Sequence, residues 1–251
     1  MEEGLHIGLH SERLFSLWGV PITNSLLATW LVMGVLLVAA YIIGRRLSLL
    51  PGKAQNAVEM FFEYVMGLVE QTLESRPLAR RYFPLIATIF IFIFAANMFD
   101  FLPIFGTVGL RLPAQAGGEH EMIPLFHAVN ADLNMTLALA IISFLVIEVS
   151  GVAMLGALKY GSKFVNLKAG LVGFLVGIVE LIGNLARLVS LSFRLFGAIF
   201  AGEVLLLVIG MYVPYFLPVP LMAFEMFIGL LQAAVFAILT LAFIKLAISH
   251  H

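Results

Sequence analysis

Charge is absent from long windows of this chain, and that pattern constrains its fold more than anything else in it. No Asp, Glu, Lys or Arg occurs from Leu14 to Gly44 or from Tyr82 to Phe99. The window from Leu133 to Leu158 is broken only by Glu148, and Val204 to Ile244 only by Glu225. At 1.5 Å rise per residue, about 20 apolar residues in a helix cross the ~30 Å hydrocarbon layer of a bilayer. Each window supplies that length. Hydrophobic residues make up 62% of the 251 residues, mean hydropathy is +1.06 and only 12% of residues are charged. A water-soluble fold of this size cannot hide so much apolar surface, so the solvent is lipid.

The balance of charge narrows the function further. Fourteen basic residues against fifteen acidic ones give a net charge of −1, which excludes a basic nucleic-acid surface and an acidic disordered tail. Without cysteine there is no disulfide, thiolate metal site or thiol nucleophile. Met1-Glu2-Glu3 offers no positive leader ahead of the first apolar run, so a removable signal peptide is not expected.

The expected architecture is an all-α integral membrane protein forming a single membrane domain over residues 1–251. It has about five membrane-embedded helices and one amphipathic interfacial helix. The spans are placed at residues 24–44, 84–103 and 134–158, with two longer helices at 170–211 and 221–249. Residues 51–74 are different: Val58, Phe61, Phe62, Val65, Met66 and Val69 recur at helical spacing while Glu59, Glu63 and Glu70 take other faces. That pattern belongs to a helix lying at the interface.

Basic residues set the expected orientation. One side collects Arg45, Arg46, Lys53, Arg76, Arg80, Arg81, Lys159, Lys163, Lys168 and Lys245; the other has only Arg13 and Arg111. The N-terminus is therefore expected outside and the C-terminus in the cytoplasm. A proline-free helix over 170–211 would be roughly 63 Å long, about twice the hydrocarbon thickness, so it must tilt steeply, break, or lie partly along the membrane plane; a strong tilt is the expectation. The turn containing Pro214, Pro218 and Pro220 then folds 221–249 back on it as a hairpin.

The long helix carries a stripe at steps of three and four: Gly170, Gly173, Gly177, Glu180, Asn184, Arg187, Ser190, Arg194, Gly197 and Ala201. Small residues admit a close neighbour and polar ones demand water or a polar partner, so the stripe reads as one contact surface. An arginine at mid-bilayer costs about 2.5 to 3.5 kcal/mol on insertion scales, so Arg194 calls for a function. Glu203 lies nine residues beyond it, 2.5 turns and ~13.5 Å along the axis, and points the other way. If the turn centres near Pro214, Glu203 meets Glu225 across the hairpin, while Gln232 comes within a turn of Arg194. Two facing acids in lipid imply shared water or a shared proton.

Other classes fit less well. A self-contained ion channel or secondary transporter would show paired repeats around a central site, whereas the ionisable residues here gather in the last two helices. An intramembrane hydrolase lacks support: His6, His10, His120, His127, His250 and His251 all fall outside the expected spans, with no His-Glu-x-x-His or Gly-x-Ser-x-Gly. His120 and His127 are expected in a solvated loop and no metal site is expected.

The run Ser190-Leu191-Ser192-Phe193-Arg194-Leu195-Phe196-Gly197, continuing to Ala201-Gly202-Glu203, resembles the signature of subunit a of the F-type ATP synthase membrane sector, known as subunit 6 in mitochondria. Ala131-Asp132-Leu133-Asn134-Met135-Thr136-Leu137, Asn97 through Asp100 to Leu102-Pro103, and Leu231-Gln232-Ala233 are similar to other segments of that family, in its order. Ile22-Thr23-Asn24 is a fainter echo. The resemblance implies a stator subunit with two offset half-channels for protons, beside a rotating ring of c subunits and bound by peripheral-stalk b subunits. Arg194 would be the essential arginine facing the ring, with Glu203, Glu225 and Gln232 serving proton access or the placing of that arginine. Glu180, Arg187 and Ser190 would be supporting polar positions, and Asn97, Asp100, Asp132 and Asn184 would line aqueous paths. It implies no cofactor, no active site of the subunit's own, and a bacterial plasma membrane.

Overall fold

The computed structural model describes residues 11–17, 19–48, 51–102, 109–111, 122–156, 160–161, 170–213 and 215–249. Lys159, Lys163, Lys168, Pro214, His120 and the four terminal-region histidines at 6, 10, 250 and 251 lie outside those residues.

Among the described residues six helices carry the fold: α1 (Asn24–Arg45), α2 (Lys53–Leu73), α3 (Arg76–Phe99), α4 (Leu133–Leu155), α5 (Gly170–Tyr212) and α6 (Pro218–Ser249). All except α2 are long and apolar enough to cross a membrane. The all-α membrane architecture with five such helices and one amphipathic helix is therefore what the chain adopts. Two short antiparallel hairpins accompany it: β1 (Arg13–Leu17) with β2 (Val20–Thr23), and β3 (Gly109–Arg111) with β4 (Met122–Pro124). Gly19 makes the first turn at φ +84°, a conformation that side chains resist.

The helix ends are explained by their caps. Thr23 accepts a hydrogen bond from the Leu26 amide at 3.3 Å and opens α1. Asn24 accepts from the Glu12 amide at 3.1 Å and donates to the Pro124 carbonyl at 3.4 Å, so one side chain joins both hairpins to the start of α1. The α2 helix stops where Glu74 takes the left-handed conformation at φ 53°. The third helix begins at Arg76, earlier than its uncharged window suggested, and its first turns carry Arg76, Arg80 and Arg81. Pro77 suits that beginning because the first helical amides lack partners in any case.

Buried side chains form three groups in succession along the bundle. At one end Val69 and Leu73 of α2 pack with Tyr82 and Ile86 of α3 and Leu241 and Ile244 of α6. In the middle Ile93 of α3 meets Leu191 and Leu195 of α5 and Ala233 and Phe236 of α6. At the hairpin end Ala28 and Val32 of α1 meet Ala96 of α3 and Val129. Beyond that contact α1 leaves Leu37, Val38 and Tyr41 exposed, as suits a helix lying in lipid at the bundle's edge. At 43 residues, α5 is about 64 Å long, so the tilt inferred from its length still applies.

Candidate functional site

The α5–α6 hairpin builds two polar regions at different depths, with Arg194 between them in sequence. The first is a hollow of about 260 Å³ at the hairpin-bearing end, lined by Asn97, Asp100, His127, Glu203, Glu225 and apolar neighbours such as Ile199, Leu206 and Met222. Four elements converge on it: the end of α3, the connection from β4 to α4, α5 and α6. Both Asp100 carboxyl oxygens, Oε2 of Glu203 and Oε2 of Glu225 are buried with no hydrogen-bond partner among the described residues. Buried carboxyl oxygens are costly unless water or a proton satisfies them, and at ~30 Å³ per water the hollow has room for several.

Glu203 and Glu225 thus line one hollow from opposite arms of the hairpin. Their approach depends on Gly202. A Cβ built there would fall on the Glu225 carboxyl, 2.8 Å from its Cδ and 3.0 Å from its Cγ. Below the hollow Asn97, 1% exposed, donates to the Gly229 carbonyl at 2.8 Å and accepts from Asn130 at 2.7 Å. This pair of amides locks α3, α6 and the α4 approach together, and gives the hollow a fixed floor.

The second region lies between α4 and α5. Glu148 accepts from the Asn184 side-chain amide at 3.1 Å and from the Tyr160 hydroxyl at 3.0 Å, and Arg187 donates to Oδ1 of Asn184 at 2.9 Å. The Arg187 guanidinium also rests over the Phe243 ring, 5.4 Å from its centre. Burial first, and then the Glu148 carboxylate, push the Tyr160 hydroxyl well above the ordinary range, so it stays a donor. Beside this chain an open groove of about 470 Å³ is lined by Glu180, Gly183, Arg187 and apolar residues of α5.

Arg194 belongs to neither region. Its side chain is exposed, and its guanidinium donates at 3.4 Å to Ser190, one turn back on the same helix. No carboxylate pairs with it among the described residues. Phe193 beside it is 53% exposed, while Leu191 and Leu195, about 60° and 100° around the helix from Arg194, are buried against α3 and α6. Gln232 precedes the buried Ala233, which packs in the same cluster as Leu195. That places it on the α6 stretch facing the middle of α5, with no side-chain hydrogen bond among the described residues.

Three readings of the sequence change here. Asp132 does not line the outer hollow. It is the N-cap of α4, accepting from the Asn134 amide at 2.9 Å, Ser25 at 2.6 Å and Ser11 at 2.7 Å. Those bonds tie α1 to α4 and leave it a structural acid. His127 is not merely a solvated loop residue: its Nδ1 sits 3.6 Å from Oε1 of Glu203. The stripe is also not one surface. Gly173, Gly177 and Asn184 are buried, whereas Ser190, Arg194 and Ala201 are exposed. Steps of three and four average 3.5 residues against 3.6 per turn, so over four heptads the stripe drifts by about 80° around the helix. At Asn184 and Arg187 it meets α4, whereas at Ser190, Arg194 and Ala201 it faces outward.

Glu148, Tyr160, Asn130 and Gly202 belong to the site, although the sequence alone assigns none of them a role there. Glu148 alone carried a usable signal, since an acid inside an apolar span is functional or paired by default. The other three depend on contacts across the fold that no local spacing reveals.

The family description "ATP synthase A chain" matches residues 26–245. ATP synthase subunit a of Moorella thermoacetica is 32% identical over 239 residues, covering 95% of this chain and 97% of that protein. The Campylobacter jejuni protein of the same description is 36% identical over 214 residues, covering 85% of each chain. That of Campylobacter concisus is 34% identical over 223 residues, covering 88% of each. With five helices able to span a bilayer and a match of this extent, the chain is a multi-pass membrane protein that belongs to the ATP synthase subunit a family.

Proposed function

We propose that this chain is the proton-conducting stator subunit of an F-type ATP synthase, coupling proton flow to ATP synthesis carried out elsewhere in the complex. The observation that carries the reading is Arg194, a permanent cation exposed on a membrane helix with no carboxylate partner among the described residues, flanked by two polar regions offset along that helix. A guanidinium stays charged under any working condition. It holds a passing carboxylate ionised and gives a protonated one no reason to remain. The passing acids are those of a c-subunit ring turning against the exposed face of α5.

In this reading Asp100, Glu203 and Glu225 line the outer half-channel, with Asn97 as its floor. The groove at Glu180 and Arg187, with Asn184 and Glu148 beside it, serves the cytoplasmic half-channel. Gln232 positions the Arg194 side chain and Ser190 accepts from it. Protons cross only by riding the ring past Arg194, each releasing ~2.3 kcal/mol per 100 mV of membrane potential. The excess of Lys and Arg on the α1–α2 and C-terminal side puts that side in the bacterial cytoplasm and the hollow outside. Peripheral-stalk b subunits hold the chain against the torque, and the chain contributes no catalytic site of its own.

Arg194→Ala tests this directly. It abolishes proton-driven ATP synthesis and ATP-driven pumping in inverted vesicles, while coupled pumping retained in the variant would overturn the barrier role.

A further inference from the structure

Among the described residues lining the outer hollow, His127 is the one nitrogen base, with one ring nitrogen to accept a proton and another to donate one. It sits on the connection between β4 and α4, not on a membrane helix, and its side chain is 20% exposed. Its Nδ1 lies 3.6 Å from Oε1 of Glu203, an ion-pair distance that a small shift or one water closes to a proton-transfer contact. The other Glu203 oxygen, Oε2, is buried and without a partner among the described residues. The imidazole therefore stands at the side of the hollow, next to one end of a carboxylate whose other end faces the interior.

The charged surroundings favour the same role. Glu203 faces His127 from α5, while Asp100 from the end of α3 and Glu225 from α6 line the same hollow. On His127's own connection Asp132 is occupied by Ser11, Ser25 and the Asn134 amide. The nearby start of α1 contributes uncharged Asn24 and Ser25. Among the described residues lining the hollow, three acids and no other base accompany the one imidazole.

Resting on the outer half-channel reading above, we propose that His127 is a positioning and proton-relay residue that delivers protons from outer water to Glu203. Nε2 accepts a proton from water to form imidazolium. The Nδ1 proton then passes to the Glu203 carboxylate, leaving a neutral imidazole carrying its hydrogen on Nε2. Ring rotation or exchange with water in the hollow resets the tautomer. No other bond is made or broken.

The test uses the whole ATP synthase in proteoliposomes, with ATP synthesis driven by an acid–base step. His127→Ala and His127→Gln each lower the rate by about 100-fold or more, the range general acid–base catalysis supplies. Both flatten the dependence of the rate on outer pH. Imidazole added to the outer compartment restores the rate of His127→Ala but not that of Glu203→Gln. The Gln variant keeps the side chain's size and hydrogen bonding, so the test stands if the Ala variant assembles poorly. Parent rates and pH profiles in both variants would overturn the relay, as would a loss that imidazole leaves unchanged. If Glu203→Gln blocks synthesis while the His127 variants do not, the relay alone fails. Full synthesis in Glu203→Gln would remove the half-channel reading and the relay with it.

Discussion

Gly202→Ala separates geometry at the outer hollow from stability. The added methyl would lie 2.8 Å from Cδ of Glu225 and 3.0 Å from its Cγ, and nearer still to Oε1. Ordinary carbon–carbon contact begins at about 3.5 Å, so the carboxyl must retreat by roughly 1 Å. Because the obstruction is the far end of a side chain, the backbone need not move. Exchanging Gly for Ala inside a helix gains about 1 kcal/mol, against about 1–3 kcal/mol for overpacking, so net stability changes little. The functional effect is larger, since a misplacement of about 1 Å can cost on the order of 100-fold in a positioned reaction. Acid–base-driven ATP synthesis in proteoliposomes should fall between tenfold and 100-fold, with normal assembly of the complex. Gly210→Ala is the matched control, because nothing lies within 4 Å of a Cβ built there. Equal rates for Gly202→Ala, Gly210→Ala and the parent would refute the claim that the Glu225 position governs proton transfer.

Two further predictions concern the scaffold. Asp132→Ala removes the α4 cap and the acceptor of the Ser11 and Ser25 hydroxyls, leaving Ser25 its contact with Thr23 at 3.2 Å, and costs about 1 kcal/mol for the cap and about 0.5–1.5 kcal/mol for each hydroxyl bond lost. The variant should unfold at lower SDS fraction in a detergent titration while the assembled enzyme keeps its dependence on outer pH. At the other end of the bundle, the Lys245 ammonium 2.7 Å from Glu74, by hydrogen bond and charge, holds that carboxyl below its ordinary value of 4.5. A depressed folded-state pKa stabilises above the unfolded value and is lost as pH falls through the folded one. Lys245→Gln should therefore loosen the end of α2 in limited proteolysis at pH 7 and low salt. The difference should shrink with added salt and vanish well below pH 4.5.

The helices were legible because lipid imposes a simple rule on sequence: spans are uncharged and about 20 residues long. The same rule misplaced the start of α3, since Arg76, Arg80 and Arg81 look like loop until a helix extends beyond the hydrocarbon. The convergence of Glu203 and Glu225 followed from folding the α5–α6 hairpin about its prolines. Asp132 was misjudged although its signal was present, an Asp directly before an apolar helix, which is an N-cap pattern. His127 could not be placed: it lies 76 positions before Glu203, and only the return of the β4–α4 connection brings the two together. The stripe on α5 failed for a geometric reason, because a 3.5-residue repeat cannot hold one face of a 3.6-residue helix over this length.

The most direct measurement is a cysteine cross-linking scan along α5, made clean by the absence of native cysteine. Ser190→Cys, Gly197→Cys and Ala201→Cys share the open side of the helix with Arg194 and should cross-link to cysteines on the outer helices of a c-subunit ring. Leu191→Cys, Leu195→Cys and Ile199→Cys, buried within this chain, should not. Cross-links from the buried set and none from the Arg194 side would show that the cation faces away from any rotor and would contradict the account.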